Sequence, residues 1–561
     1  MAVRIEVEQR QDWVLPSHAP YTISSFEYPE RPTIQESKIK IEDGELLPNG
    51  KGFPWRMEPP SVSFKVYRAM VNHGLSDVAN HVLRTKKRSY ITPQAIWNGV
   101  LEFGEALPSK LRKLPEYLLA LDELRIEIDT KDRITPFTME EGAKTLPQGT
   151  SPGLPYINTH PGWKKGDISL KYMPAFNNYW DRVGQGLPVA PLPDCAAFAR
   201  SHISSPDVNK VRPVWAYPMM AIAQESRFVA PLLRDLIDQK IGLHTAYGME
   251  MMKGGMTWLN GQAMIANARQ PGVKYLMTDF SGFDKSLPAW LIRDIFKIIE
   301  EKYQFNRSWN GKEEIPQYGA VERRKFRRLV NYFINTPIQN CDGRRFLKKH
   351  GVPSGSMFTN IIDTFANFVM SRTIAKLSSN ENPIFDVYFG DDAIMCFSGD
   401  TAVDVRKYSL AAKDLFGMTL SPKKSYLTTR PDNIHFLGYF NYHGSPYKAA
   451  EELIASMLYP QYLKDDWAYC VSRALGCALA SAGMQTDVYL AAQAVFIFAS
   501  RRENKFEEGL ELLRTNPRAK RHMSQMGCSD LPLNESYFRD INALVPRMDC
   551  SKITKGVNIV I

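Results

Sequence analysis

Two short apolar runs, FDVYF (385–389) and AIMCF (393–397), are separated only by Gly390, Asp391 and Asp392. Runs of this length, divided by a Gly-Asp turn signal, predict two buried strands joined by a tight hairpin. The hairpin carries adjacent carboxylates at its tip, where they cannot both turn into a core. Side by side their charges repel, and a cation relieves the repulsion. An Asp-rich turn is common enough in ordinary loops that the tripeptide alone identifies nothing. Its weight comes from what accompanies it.

VKYLMTDF (273–280) is a third apolar run, predicted as a buried strand ending at Asp279, with Asp284 following in DFSGFD. Asp279 and Asp391 on neighbouring strands would converge on hard divalent cations, which take carboxylate oxygens. Alone, Asp279 reads as a strand-end residue capping the next helix. In GVPSGSMFTN (351–360), the small residues Ser354, Gly355 and Ser356 allow close backbone approach to a ligand. The helix that follows offers unpaired N–H groups to a phosphate or sugar. A simple turn before a helix cap explains that segment equally well.

Elsewhere, 3.6-residue periodicity predicts helices within 61–124 and over 219–240, 287–303, 321–334 and 403–418, a Ser-Gly loop that continues as a long helix over 354–377, and a mostly helical chain after 450. A hairpin is expected around Asp342-Gly343, a strand over 434–439 and a structured loop over 147–163. Residues 1–60 read as an extension that wraps the body or stays loose.

Net charge is +10 and the pI about 9.0, which suits a polyanionic partner, nucleic acid first. Basic clusters stand at 84–88, 323–328, 344–349 and 517–522; the one at 344–349, leading into GVPSGS, is the best candidate for a cationic channel wall facing such a polyanion. Seven scattered cysteines with no CxxC spacing argue for a reducing compartment and against a disulfide framework or zinc site. The longest apolar stretch, Val488 to Ala499, falls short of the ~20 residues of a membrane span, and the N-terminus has no signal-peptide character. A soluble intracellular protein is expected.

Taken together and in order, these elements resemble viral RNA-dependent RNA polymerases. DFSGFD resembles motif A, SGSMFT with Asp363 motif B, YFGDDA (388–393) motif C, the 403–418 helix with TLSPKKS motif D, and IHFLGY (434–439) motif E. Upstream, TSPGLP (150–155) is similar to motif G and KVRPVWAYP (210–218) to motif F. The pattern looks most like polymerases of bisegmented double-stranded RNA viruses, partitiviruses first and picobirnaviruses second.

The resemblance implies an α/β right hand of fingers, palm and thumb, with an antiparallel palm sheet backed by helices. Its expected divisions are an extension at 1–60, fingers at 61–270 and 290–345, palm at 271–289 and 346–445, and thumb with tail at 446–561. It implies two Mg²⁺ or Mn²⁺ ions held by Asp279, Asp391, Asp392 and the Phe280 carbonyl, and Lys424 as general acid, with Lys423 its competitor. Lys210 and Arg212 would hold nucleotide phosphates. Asp284, Ser354, Gly355, Thr359 and Asp363 would surround the nucleotide, and Thr150, Ser151 and Gly153 would touch template RNA. NTPs, template and product RNA, and viral capsid protein are the implied partners, in the virion interior and host cytoplasm. A reverse transcriptase and a non-catalytic RNA-binding virion protein are the rival functions.

The resemblance puts Asp363 where positive-strand RNA virus enzymes commonly carry Asn. An ionised Asp can only accept a hydrogen bond. Either it shares a proton with Asp284, or it turns away and Thr359 supplies the donor. The tail after Pro546 mixes basic and apolar residues and is expected near the product channel, or packed outside it.

Overall fold

The computed structural model describes residues 41–56, 60–105, 114–128, 133–238, 244–461 and 464–546. Most of the N-terminal extension and the tail after Pro546 lie outside the described residues.

At the centre is a four-stranded antiparallel sheet in the order Phe385–Phe389, Asp392–Phe397, Lys274–Thr278, Tyr426–Thr428. Its strands read as continuous apolar runs because both faces are covered. Leu276, Tyr388, Ala393 and Met395 join the main core, while Tyr275, Met277, Val387, Ile394 and Cys396 join a second cluster with Leu259 and Ala263 of the Gly255–Arg269 helix. Alternate residues thus serve opposite faces, as the two-residue period of a strand requires. Helix Thr359–Ser379 backs the first face, with Val405–Phe416 beside it.

A five-stranded sheet runs Gly44–Leu47, Arg345–Lys348, Pro337–Gln339, Cys195–Ser201, Val211–Ala216. The described end of the N-terminal extension is therefore pinned to the body as an edge strand. The predicted hairpin turns at Gly343, whose φ of 93° explains the glycine.

One expectation changes. The 434–439 run is two strands, His435–Phe436 and Tyr439–Tyr442, because Leu437 and Gly438 both adopt positive φ and fold the chain back. The 354–377 segment opens as a loop and continues from Thr359 as the long helix Thr359–Ser379, as read from the sequence.

Helices Phe64–Asn72 and Ser76–Thr85 do not share the core of the 90–238 region that follows them. Val66, Met70, Ala79 and Val82 pack with Leu453, Ile454, Val471, Leu475, Val488 and Val495 of the C-terminal helices. Ser63 Oγ also donates to Asp465 at 2.5 Å across that junction. The chain thus crosses early from the helical C-terminal body to the rest. Among the described residues no helix is long and apolar enough to cross a membrane.

Candidate active site

The hairpin tip is built on Gly390, at φ 60°, where a side chain would be strained. Helix Thr359–Ser379 saturates its backbone. Gly390 N–H donates to Thr364 Oγ1 at 2.9 Å, and Asn367 Nδ2 donates to the carbonyls of Gly390 and Asp392 at 3.0 and 3.3 Å. Ser371 Oγ donates to Asn367 Oδ1 and so fixes which way the amide points. These bonds pin the Gly390 N–H and the Gly390 and Asp392 carbonyls to the helix and so fix the backbone that carries the two carboxylates.

Register places the third carboxylate. Ala393 pairs with Thr278, so in the antiparallel ladder Asp392 stands across from Asp279. Asp279 is held by main-chain bonds: its N–H donates to Ser425 Oγ at 3.0 Å, and its carbonyl accepts from Ser421 N–H at 2.7 Å and Ser425 Oγ at 3.1 Å. Its Oδ2 lies 2.8 Å from Lys424 Nζ. Burial, then the charges of Asp391 and Asp279, push the Asp392 carboxyl up to about 7.

Three carboxylates in mutual repulsion, offering oxygen donors only, suit a hard divalent cation. Among the described residues, however, no three His, Cys, Asp or Glu side chains already surround one point. Asp279 has Lys424 as its counter-charge instead.

Next to the carboxylates lies the 351–359 loop. Trp215 N–H donates to the Ser354 carbonyl at 3.0 Å. A Cβ on Gly355 would meet the Trp215 carbonyl oxygen at 1.9 Å, so glycine is demanded here by close approach. Ser354 Oγ donates to Asp284 Oδ2. Asp363 is buried, and its Oδ1 has no hydrogen-bond partner among the described residues. Burial first, then Asp284 and Asp391, push its carboxyl well above the ordinary range. Thr359 Oγ1 donates to the carbonyls of Pro353 and Ser356, at 2.7 and 2.8 Å. Its single proton is directed to the loop in this structure.

Lys210 and Arg212, at the strand Val211–Ala216, form no ion pair among the described residues. Burial lowers the Lys210 ammonium, as do Arg212 and Lys424, while Asp279 and Asp391 act in the opposite sense. His202 is lowered to about 4 by burial and by Arg212, Lys210, Arg88 and Arg200. A cationic wall thus faces the acidic centre. Gly153 packs against Tyr217, where a Cβ would sit 2.4 Å from the carbonyl oxygen, and Met219 N–H donates to Pro152 at 2.8 Å. Ser151 Oγ accepts from Gly153 N–H, and Thr150 Oγ1 donates to Pro147.

The sequence profile described as viral RNA-dependent RNA polymerase matches residues 103–459, well over half the chain. The chain belongs to the viral RNA-dependent RNA polymerase family. Similar curated proteins are each called RNA-directed RNA polymerase. That of Cryptosporidium parvum virus 1 is 29% identical over 303 residues (52% of this chain, 52% of that protein), and that of Atkinsonella hypoxylon virus is 26% identical over 402 residues (60% and 58%). White clover cryptic virus 1 contributes one at 23% identity over 291 residues (49% and 46%). These are partitivirus-like and cryptic double-stranded RNA viruses, the subgroup the motifs resemble. The chain spans about half the length of the curated relatives it matches. Among solved structures, Sicinivirus 3Dpol RNA dependent RNA polymerase superposes with a TM-score of 0.59 at 12% identity, covering 87% of this chain and all of that one. That likeness shows the α/β right-hand polymerase fold.

Within this polymerase fold, three of the basic clusters prove largely structural. Lys348 is buried and donates to the carbonyls of Phe333, Ile334 and Gly351 at 2.6, 2.9 and 2.8 Å; Arg345 pairs with Asp194, Arg344 with Asp342, and Lys349 with Glu45. The favoured channel wall at 344–349 is therefore corrected: its cations hold the sheet together. Arg323 and Arg327 pair with Glu300, Lys325 with Asp181 and Glu322, and Arg88 donates to the Tyr459 and Ser201 carbonyls.

Two supports escaped the sequence reading. Arg372 grips Asp386 with bonds of 2.7 and 2.8 Å, while Tyr388 OH and His244 also reach that carboxylate, locking the base of the hairpin. Asp386 is held below the usual carboxylate range by His244 and Arg372, against its burial. Glu225 accepts from Ser356 Oγ at 2.8 Å and Met357 N–H at 2.9 Å, fixing the 354–358 loop from beneath. A lone Glu in an otherwise helical sequence gave no sign of this; an Asp within an apolar strand was a signal that went unused.

Proposed function

We propose that this chain is an RNA-directed RNA polymerase that replicates and transcribes a viral RNA genome from NTPs. What supports the reading is the family match over 103–459 together with the placement of Asp279, Asp391 and Asp392 at adjacent strand ends, near Lys210, Arg212 and the Ser354–Asp284–Asp363 group. Asp279 and Asp391 would hold two Mg²⁺ or Mn²⁺ ions, with Asp392 and the Phe280 carbonyl assisting. Such ions supply an activated primer 3′-hydroxyl and neutralise the triphosphate.

The chain's own residues do the rest. Lys210 and Arg212 bind phosphates as cations. Asp284, positioned by Ser354, accepts from the ribose 2′-hydroxyl. Asp363, whose carboxyl is pushed up by burial and by Asp284 and Asp391, would supply when protonated the donor that an Asn supplies elsewhere. Lys424, exposed at the rim, donates a proton to departing pyrophosphate once its hold on Asp279 is released. The central sheet with its helices acts as palm, 290–345 with the five-stranded sheet as fingers, and the C-terminal helices as thumb. Template and product RNA are the direct partners; capsid protein as a further partner, and a setting in the virion interior or host cytoplasm, belong to the same proposal.

The test is incorporation of labelled NTPs on single-stranded RNA with Mg²⁺ or Mn²⁺, with dNTPs in parallel. Asp391→Ala should abolish incorporation and retain RNA binding. Near-normal synthesis by the folded variant overturns the assignment, and a preference for dNTPs would point to a reverse transcriptase.

A further inference from the structure

The 156–172 segment carries an aromatic cluster that the proposed chemistry leaves unused. Trp163 is 37% exposed at its outer end. Behind it His160 lies 4.7 Å away, centroid to centroid. Both ring nitrogens of His160 are tied, Nε2 to Tyr172 OH and Nδ1 to Thr159 Oγ1, each at 2.9 Å. Tyr172 packs on Tyr156 at 5.2 Å, and both rings contact the buried Phe176. A surface indole is thus anchored through a ladder of rings to the core. It is a rigid platform, not a loose loop residue.

Cations surround it. Lys171 Nζ sits 5.0 Å from the Trp163 ring centroid and 5.5 Å from that of Tyr172. Lys164 and Lys171 are exposed, and neither makes an ion pair among the described residues. The platform is also continuous with the candidate active site. Gly355 abuts Trp215, Gly153 abuts Tyr217, and Pro152 accepts from Met219; Thr150 and Gln148 in turn accept from Lys165 and Gly166, beside Trp163. These largely buried main-chain contacts fix the platform's position relative to the loop beside the acidic centre.

We infer that Trp163, with Lys164 and Lys171, is a stacking site for an unpaired base of the single-stranded RNA template outside the active site. This rests on the polymerase reading above. An arriving base takes the indole face, and Lys171 moves from the ring to a neighbouring phosphate, exchanging a cation–π contact for a charge pair. The contact is indifferent to sequence, because every base has a π-face.

The experiment uses the full chain and two primed templates, with unpaired 5′ overhangs of one nucleotide and of about eight. Affinities are measured by fluorescence anisotropy at several salt concentrations for wild type, Trp163→Ala, Trp163→Phe and Lys171→Met, with melting temperatures as a folding check. Trp163→Ala should lose about tenfold affinity for the long overhang and little for the short one. Trp163→Phe should keep most of the preference, and Lys171→Met should lower the salt slope by about one. Equal affinities of folded Trp163→Ala and wild type for the long overhang overturn the stacking site. So does a loss equal on both overhangs, or a loss seen only toward a protein partner. If wild type extends neither primer, the polymerase reading itself fails, which is a different result.

Discussion

Adding one methyl group at Gly355 tests the packing of the candidate nucleotide site directly. The new carbon would stand 1.9 Å from the Trp215 carbonyl oxygen and 2.9 Å from its carbon, both main-chain atoms. Ordinary contact begins at 3.4 Å, so the two backbones must part by about 1.5 Å. Trp215 is paired within its sheet to Ala197 and is the less able to move. The 354–358 loop therefore shifts, endangering the Trp215–Ser354 main-chain bond and the Ser354–Asp284 contact. Overpacking of this kind costs about 1–3 kcal/mol of stability. Misplacement of a nucleotide contact by ~1 Å can slow chemistry about 10²-fold. Gly355→Ala should then fold with a lowered melting temperature and show a single-nucleotide incorporation rate about 100-fold below wild type at saturating NTP. Gly261, in the Gly255–Arg269 helix, has nothing within 4 Å of an added Cβ and serves as control. Gly261→Ala should be neutral or stabilising, by up to about 1 kcal/mol. A Gly355→Ala protein with wild-type rate and melting temperature would refute the close-approach argument.

Further outcomes follow from the same geometry. Lys424→Leu should slow the chemical step ~10²–10⁴-fold in single-turnover assays with little change in NTP affinity; a larger loss in Lys423→Leu would move the acid one residue. Burial and two neighbouring carboxylates raise Asp363, so its proton is present at low pH and lost as pH rises. The ATP-to-dATP ratio of kcat/KM should therefore fall with rising pH, and Asp363→Asn should flatten the profile; identical profiles would reject the shared-proton scheme. Glu225 is pushed up to about 7 by burial, against the bonds from Met357 and Ser356. A carboxyl raised on folding stabilises below its unfolded value, and that contribution, about 3 kcal/mol, is lost between about pH 4.5 and 7. Melting temperatures of wild type minus Glu225→Gln should decline across that window and level off above it.

The central hairpin, the Asp279 strand and the helix after GVPSGS were legible in the sequence because each depends on local rules. Apolar runs of strand length, a Gly-Asp turn and 3.6-residue periodicity act within a few residues of one another. The strand ends, and with them the order of the acidic residues, could be read that way. Register then did what no local rule could, setting Asp392 across from Asp279 through the Ala393–Thr278 pair. Charge was where the sequence misled. Lys348 and Lys424 look alike in a list of basic residues. One is buried under three carbonyls and the other stands exposed beside Asp279. Whether a cation is solvated, paired or aimed at a ligand depends on partners far along the chain, such as Asp194 for Arg345. The same holds for Glu225, whose role under the Ser356 loop comes from a contact 131 residues away, and for the 64–85 helices, whose apolar faces fit a core supplied by the C-terminal helices. Local sequence decides which elements form. Burial, which depends on the whole chain at once, decides which charges remain available for function.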